Sequence, residues 1–489
     1  MYLIPFLLLT SLLPLTITAE TVLGIYILSR HGDRSSKSTP PTNLTTLGYS
    51  QVFTSGSYFR SRYVSSSASS PILGISHDLV NFKQIAASAP LDTVLMPSAQ
   101  GFLQGLYPPV GNQLGVQTLR NKTEVQTPLD GYQLIPVQTV TTGTASEDSA
   151  WLQGAGNCAN AITSSNEYLS TPEYQDLLNS TSDFYKSLAP VVNATFGEDF
   201  LSYKNAYAIY DLINVATIHN ASIPFSSLLT PSTLSQLSSL ANTHELSLAY
   251  NNSDPVRAIA GSTLAAQVVQ ALNTTLTASS HAPKINIQFG AYGSFQSFFG
   301  LANLTSLPAI TNTDTDGTDF TAIPDYASTM TFELVTNASV PSPSTFPAPE
   351  DISVRFLFHN GTTSNSSHPV AYPLFGQPAL ELPWTDFVKG MNAFAVGDQS
   401  DWCQACGNST GVCASVAPQG SLCPGGSNDG GRGISKAVAG VIGAMVTLAV
   451  ILGVEALVFL GAGLRLIRKN RLASSGNNNG AVTETDKAS

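Results

Sequence analysis

Seven residues from Val22 to Leu28, VLGIYIL, form an apolar run with almost no polar break. A strand with one wet face alternates apolar and polar side chains. A near-continuous β-rich run is expected where both faces are covered, as in the parallel sheets of α/β folds. The run stops abruptly at Ser29-Arg30-His31-Gly32-Asp33-Arg34, and a helical pattern follows from Leu44 to about Tyr63. The order is therefore strand, polar loop, helix. Open α/β sheets place their ligand crevices at the carboxyl ends of such strands.

The rest of the chain extends that frame. Further strands are expected at Ile285 to Phe289, Met330 to Val335 and Ile352 to Phe358. Between the first strand and these, residues from about 146 to 275 lack strand periodicity. Amphipathic stretches at Ala150 to Ser164, Pro172 to Tyr185 and Pro255 to Leu272 predict an inserted, mainly helical subdomain. Strands flanking a helical block suggest one interrupted α/β sheet, and 489 residues are ample for it.

Charged residues make up only 11% of the chain and the net charge is −11. Such a chain is neither a coiled coil nor a charged disordered one. It also lacks the basic surface that neutralises a phosphate backbone, so nucleic acid is not an expected partner.

Two long apolar segments suggest an address. Residues 1–19 read as a secretory signal peptide ending near Ala19. Residues 437–464 carry one charge, Glu455, and at about 1.5 Å per residue they are long enough to span a bilayer. Arg465, Arg468, Lys469 and Arg471 follow, which places the tail, 465–489, in the cytosol of a single-pass type I protein. That tail has a charge of +3, so the remainder carries −14.

Sequons at Asn43, Asn121, Asn179, Asn193, Asn220, Asn251, Asn273, Asn303, Asn337, Asn360, Asn365 and Asn408 all precede the apolar segment, which implies N-linked glycans on an ectodomain of residues 20–414. Residues 415–436, rich in Gly, Ser and Pro, read as a stalk. Of five cysteines, Cys403, Cys406, Cys413 and Cys423 cluster near its start and Cys158 stands alone. A Cys-x-x-Cys pair allows a zinc site, but in an oxidising lumen disulfides are the default; the connectivity stays open.

The chemistry-bearing segment is Arg30 to Arg34. Guanidinium forks match phosphate oxygens, an imidazole is a nitrogen nucleophile, and Gly32 would let the backbone turn closely against a ligand. An ion-paired turn, with Asp33 satisfying Arg30 or Arg34, fits the same spacing equally well. No metal or organic cofactor is implied, because His and carboxylate residues show no ligand spacing.

RHGDRSSK after a hydrophobic strand resembles the active-site signature of the histidine acid phosphatases, a branch of the phosphoglycerate-mutase-like superfamily that includes phytases. Segments LTTLGYSQVFTSGSYFRSRY, SAQGFLQGLYPPV, PDYASTMTFEL and VRFLFHNGT continue the resemblance in order, over most of residues 22–410. It implies a three-layer sheet core with a helical insert. It also implies phosphomonoester hydrolysis in two steps, with His31 attacking phosphorus and Arg30 and Arg34 holding the phosphoryl oxygens.

The sequence departs from that pattern at two functional places. The family's proton-donor dipeptide, His-Asp, falls on Ala291 and Tyr292, and a further phosphate-binding arginine falls on Thr93. Ser36 also stands where the signature has proline. A phenol is poorly matched to acid catalysis. The other groups considered as donors, Glu333, His281 and His359, are expected to be structural or exposed, and His77-Asp78 to be coincidental.

Two functions follow as expectations. One is a membrane-anchored acid phosphatase with weakened chemistry outside the cytosol. The other is a pseudophosphatase that keeps the fold and serves as an anion-binding or scaffold protein at the surface.

Overall fold

The computed structural model describes residues 20–140, 157–219, 226–278, 282–308, 318–343, 345–409 and Cys413. The expected signal peptide, stalk, membrane segment and tail lie outside these residues. Among the described residues, no helix is long and apolar enough to cross a membrane.

The strands are β1 (Thr21–Arg30), β2 (Ile85–Pro90), β3 (Val116–Thr118), β4 (Glu124–Gln126), β5 (Gln138–Val140), β6 (Ile285–Gly290), β7 (Thr329–Thr336), β8 (Ile352–His359), β9 (Val370–Ala371) and β10 (Glu381–Pro383). β3 and β4 form a separate hairpin, and the main sheet runs β10-β8-β7-β1-β6-β2-β5 with β9 on β8. β1 is central and sits on a seam. It pairs parallel with β6, from Ile25 opposite Ile285 to Arg30 opposite Gly290, and antiparallel with β7. The run at Val22 to Leu28 signals burial on both faces, whereas the direction of each neighbour depends on connections that lie elsewhere in the chain.

The expected burial holds in detail, since every residue from Val22 to Arg34 is buried. Val22, Ile25 and Ile27 pack under the helices Thr46–Phe59 and Leu95–Leu106. Leu23 and Leu28 face the opposite layer, built by the helices Ile259–Thr277, Tyr292–Leu301 and Trp384–Asn392. Phe298, Phe332 and Phe356 meet there with ring centroids 5.2–6.0 Å apart, a geometry worth about 0.5–1.5 kcal/mol per pair beyond burial.

Between β5 and β6 the described chain is helical. Thr171 before Pro172, and Thr230 before Pro231, each cap a helix by accepting the N–H of the third residue on, with proline at the first helical position, where its missing N–H costs nothing. This block has its own core, in which Tyr168, Tyr174 and Tyr203 ring His244. A disulfide from Cys158 to Cys406 ties the start of the block to the helix Gln399–Cys406, and Cys403 pairs with Cys413. The Cys403-x-x-Cys406 motif is thus divided between two disulfides.

Candidate active site

β1 delivers its last residue, Arg30, to the carboxyl edge of the sheet beside the end of β6. The loop that follows is stapled to the segment before β7: Arg30 N–H donates to the Ser328 carbonyl, and Ala327 N–H donates to the His31 carbonyl, both at 2.8 Å. Gly32 N–H donates to Ser98 Oγ at 3.2 Å, which explains the place of the Ser-Ala-Gln segment near this loop. A Cβ at Gly32 would lie 2.2 Å from the Gly48 carbonyl oxygen. The close approach expected of Gly32 is therefore to the first turn of the next helix, and a ligand is not what demands it.

His31 is 1% exposed. Its Nδ1 lies 2.8 Å from the Gly32 carbonyl oxygen, which can only accept, so Nδ1 carries the proton and Nε2 keeps its lone pair. Nε2 is buried and has no hydrogen-bond partner among the described residues. Burial, then the charges of Arg30, Arg34 and Lys37, holds the imidazole well below its usual pKa. The shift favours the neutral ring, the state a nucleophile needs.

The two arginines are held differently. The Arg30 guanidinium donates to the Pro324 carbonyl and lies 4.5 Å from the Tyr326 ring centroid and 5.4 Å from that of Tyr292. Arg34 is fully buried, with Asp211 Oδ1 at 3.0 Å, the Tyr207 hydroxyl at 2.9 Å and the Ser35 carbonyl at 3.1 Å. Asp211 comes from the helix Ala206–Ile218 in the helical block. Its other oxygen accepts from Ser36 Oγ at 2.8 Å and Lys37 N–H at 3.0 Å. The serine that replaces the signature's proline thus supplies a hydrogen bond that proline could not.

The ion-paired turn considered for Asp33 does not form. Its carboxylate accepts from Thr45 Oγ1 and meets His219 Nε2 at 2.6 Å. A cleft of about 400 Å³ opens over Arg30, with Tyr207, Tyr210, Asp211, Asp325 and Tyr326 among its walls. His31 sits beside it, its ring 5.5 Å from that of Tyr326.

Ala291 and Tyr292 lie at the end of β6, as the sequence order predicts for the donor position, with Ala291 as N-cap of the helix that Tyr292 begins. Ala291 has no proton to give, and the Tyr292 hydroxyl donates to Glu245 Oε2 at 2.7 Å. Thr93 is exposed, and its hydroxyl donates to the Thr42 carbonyl. It is not among the residues that line the cleft.

Of the other candidate donors, Glu333 is buried in ion pairs with Arg62 at 2.8 Å and Arg355 at 3.0 Å. His359 meets the Thr362 carbonyl at 3.2 Å, His77 meets that of Val64 at 2.6 Å, and His281 lies outside the described residues. Sequence reasoning missed Asp211, Tyr207, Asp325 and Tyr326. The last two sit in the recognisable PDYASTMTFEL segment; the first two have no local signal, because a helix 170 residues away brings them in.

A mixed α/β sheet whose central strand leads directly into a loop with a buried histidine flanked in sequence by two arginines is the arrangement of a known class of fold. The chain belongs to the histidine phosphatase superfamily (branch 2), whose family model matches residues 38–359. It is 28% identical over 246 residues to human prostatic acid phosphatase, covering 48% of this chain and 56% of that one. It is likewise 28% identical over 231 residues to a lysosomal acid phosphatase of Xenopus laevis, covering 44% and 47%. The matches thus span about half the length of those relatives. In fold it is similar to the apo phytase of Hafnia alvei, with a TM-score of 0.52 and 13% identity, over 79% of this chain and 98% of that one.

Proposed function

We propose that this protein hydrolyses phosphate monoesters through a phosphohistidine on His31. The observation that carries the reading is the imidazole itself: Nδ1–H is anchored on the Gly32 carbonyl, Nε2 has no hydrogen-bond partner among the described residues, and burial favours the neutral ring. Nε2 attacks phosphorus, while Arg30 and Arg34 stabilise the charge spread over the equatorial oxygens. Lys37 adds positive potential against the single negative charge of Asp211. Water then releases phosphate.

The same reading places the reaction outside the cytosol, on the ectodomain of a glycosylated type I membrane protein. The disulfides Cys158–Cys406 and Cys403–Cys413 support an oxidising compartment.

A second reading, an anion-binding surface protein without turnover, is favoured by one contact, the buried pair of Arg34 with Asp211, which occupies a guanidinium the reaction would use. The two are separated by assaying the full-length protein on an aryl phosphate in acidic buffer, beside His31→Ala. Loss of about 10³-fold or more in the variant, with a trapped acid-labile phosphoenzyme in the wild type, is expected. Phosphate binding with equal background rates in both proteins would overturn the hydrolase reading and leave the anion-binding one.

A further inference from the structure

A phosphohistidine mechanism needs a proton for the leaving oxygen, and neither residue at the end of β6 provides one. Ala291 has no acidic group, and the Tyr292 hydroxyl is directed at Glu245. Any donor must be a carboxyl or imidazole that reaches the cleft with its proton uncommitted. Among the described residues two carboxyls line the cleft, those of Asp211 and Asp325.

Asp211 is excluded by its bonds. One oxygen pairs with Arg34 and the other accepts from Ser36 and Lys37, so both oxygens are already engaged as acceptors. Asp33 is tied to Thr45 and His219, and Glu245 to Tyr292 and His244. The Asp325 carboxyl has no hydrogen-bond or ion-pair partner among the described residues and is exposed to the cleft.

The turn that carries Asp325 is fixed on all sides. Its N–H donates to Asn360 Oδ1 at 2.8 Å, and its carbonyl accepts from Ser328 N–H at 3.2 Å and Ser328 Oγ at 2.6 Å. The preceding carbonyl, of Pro324, accepts from Arg30. The backbone that anchors a phosphate-binding guanidinium therefore also positions this carboxyl.

We infer, on the strength of the phosphohistidine reading, that Asp325 is the general acid of this site. In the first step the Nε2 lone pair of His31 forms the N–P bond and the P–O bond to the leaving group breaks. That electron pair goes to the leaving oxygen, which takes the Asp325 proton; the products are the alcohol, the phosphohistidine and the Asp325 carboxylate. In the second step that carboxylate takes a proton from the attacking water, the new P–O bond forms, and the N–P electron pair returns to Nε2.

The charges around the carboxyl fit the role. Desolvation by the cleft walls raises its pKa, Arg30 from β1 opposes the shift, and the half-buried Tyr210 of the helix Ala206–Ile218 lines the same cleft. Asp211 lies in the same cleft with its charge matched by Arg34. A phosphate bound on Arg30 offsets the opposing charge and favours the protonated acid further.

The test is a leaving-group series on full-length wild type, Asp325→Asn and Asp325→Glu. An activated aryl phosphate needs no acid, whereas an alkyl phosphate does. Asp325→Asn is expected to lose about 10²–10⁴-fold on the alkyl ester and less than about tenfold on the aryl ester. Its alkyl-ester rate should also lose the wild type's decline as pH rises through the pKa of the acid. Asp325→Glu, which keeps a carboxyl, is expected to recover part of the alkyl-ester rate, a rescue that a merely structural role would not produce. Equal losses on both esters, or no loss, in variants that still form a phosphoenzyme on His31 would overturn Asp325 alone. Absence of any phosphoenzyme in the wild type would overturn the phosphohistidine reading and this inference with it.

Discussion

Asp211 Oδ1 lies 3.0 Å from Arg34 Nη2, and the two side chains are 3% and 0% exposed. The contact joins the helical block to the loop after β1 and makes one guanidinium of the site dependent on a carboxylate far off in sequence. Removing one member of a buried pair leaves the other uncompensated, which typically costs about 3–5 kcal/mol. Arg34 keeps the Tyr207 hydroxyl and the Ser35 carbonyl, so Asp211→Asn is expected near the lower end of that range. An anion can then take the vacated charge. Thermal denaturation with and without inorganic phosphate should show a larger upward Tm shift in Asp211→Asn than in the wild type. Equal shifts would mean that phosphate does not reach Arg34.

His31 makes a separate prediction about pH. Its folded pKa is depressed, first by burial and then by Arg30, Arg34 and Lys37. The unfolded chain binds the proton below about pH 6.5, while the folded chain does not until lower pH. In that window the unfolded state holds more protons, so stability falls as pH falls, by up to about 1.4 kcal/mol per pH unit from this group. His31→Asn removes the titration. Chemical denaturation in phosphate-free buffer should show the variant gaining stability relative to wild type as the solution is acidified through this window. A constant difference across it would mean that the ring is protonated in the folded state.

Gly32 tests how tightly the loop is held. An added methyl would meet the Gly48 carbonyl oxygen at 2.2 Å, and neither a Cβ fixed to the loop backbone nor a helix carbonyl can step aside by a rotamer change. Gly32→Ala must therefore displace the loop or the first turn of the helix Thr46–Phe59. A misplacement of this kind is expected to lower kcat by about 10²-fold with a modest loss of Tm, because a shift of about 1 Å is enough to spoil attack geometry. Unchanged turnover in Gly32→Ala would show that the loop has slack.

What could be read in the sequence follows from how local each signal is. The run before Arg30 announced a strand buried on both faces, and INIQF and MTFELV announced two further strands, because the pattern lies within each segment. The antiparallel pairing of β1 with β7 was not legible, since one apolar run serves either direction. Arg30, His31 and Arg34 were legible because one loop holds all three. Asp211 and Tyr207 were not: an unremarkable helix face, AYAIYDLI, becomes part of the site only when the block folds over β1. Asp325 was in view within PDYASTM, but an isolated aspartate in a turn says nothing until Arg30 is seen bonded to the residue before it.

Tyr292 is where the loss of the usual donor is best tested. Its ring lies 5.4 Å from the Arg30 guanidinium and 5.0 Å from Tyr207, while its hydroxyl donates to Glu245 Oε2 at 2.7 Å. The ring and the hydroxyl therefore do separate jobs. Tyr292→Phe keeps the ring beside Arg30 and Tyr207 and gives up one part-buried hydrogen bond, which is expected to cost about 1 kcal/mol of stability and to leave kcat on an alkyl phosphate within a few-fold of wild type. Tyr292→Ala removes the ring that packs against the Arg30 guanidinium as well and is expected to raise KM more than it lowers kcat. The decisive comparison is Tyr292→Phe against Asp325→Asn on the same alkyl ester. If the phenylalanine variant alone lost about 10²-fold or more, the hydroxyl would be the donor, with Glu245 passing it the proton, and Asp325 would have no part in the transfer.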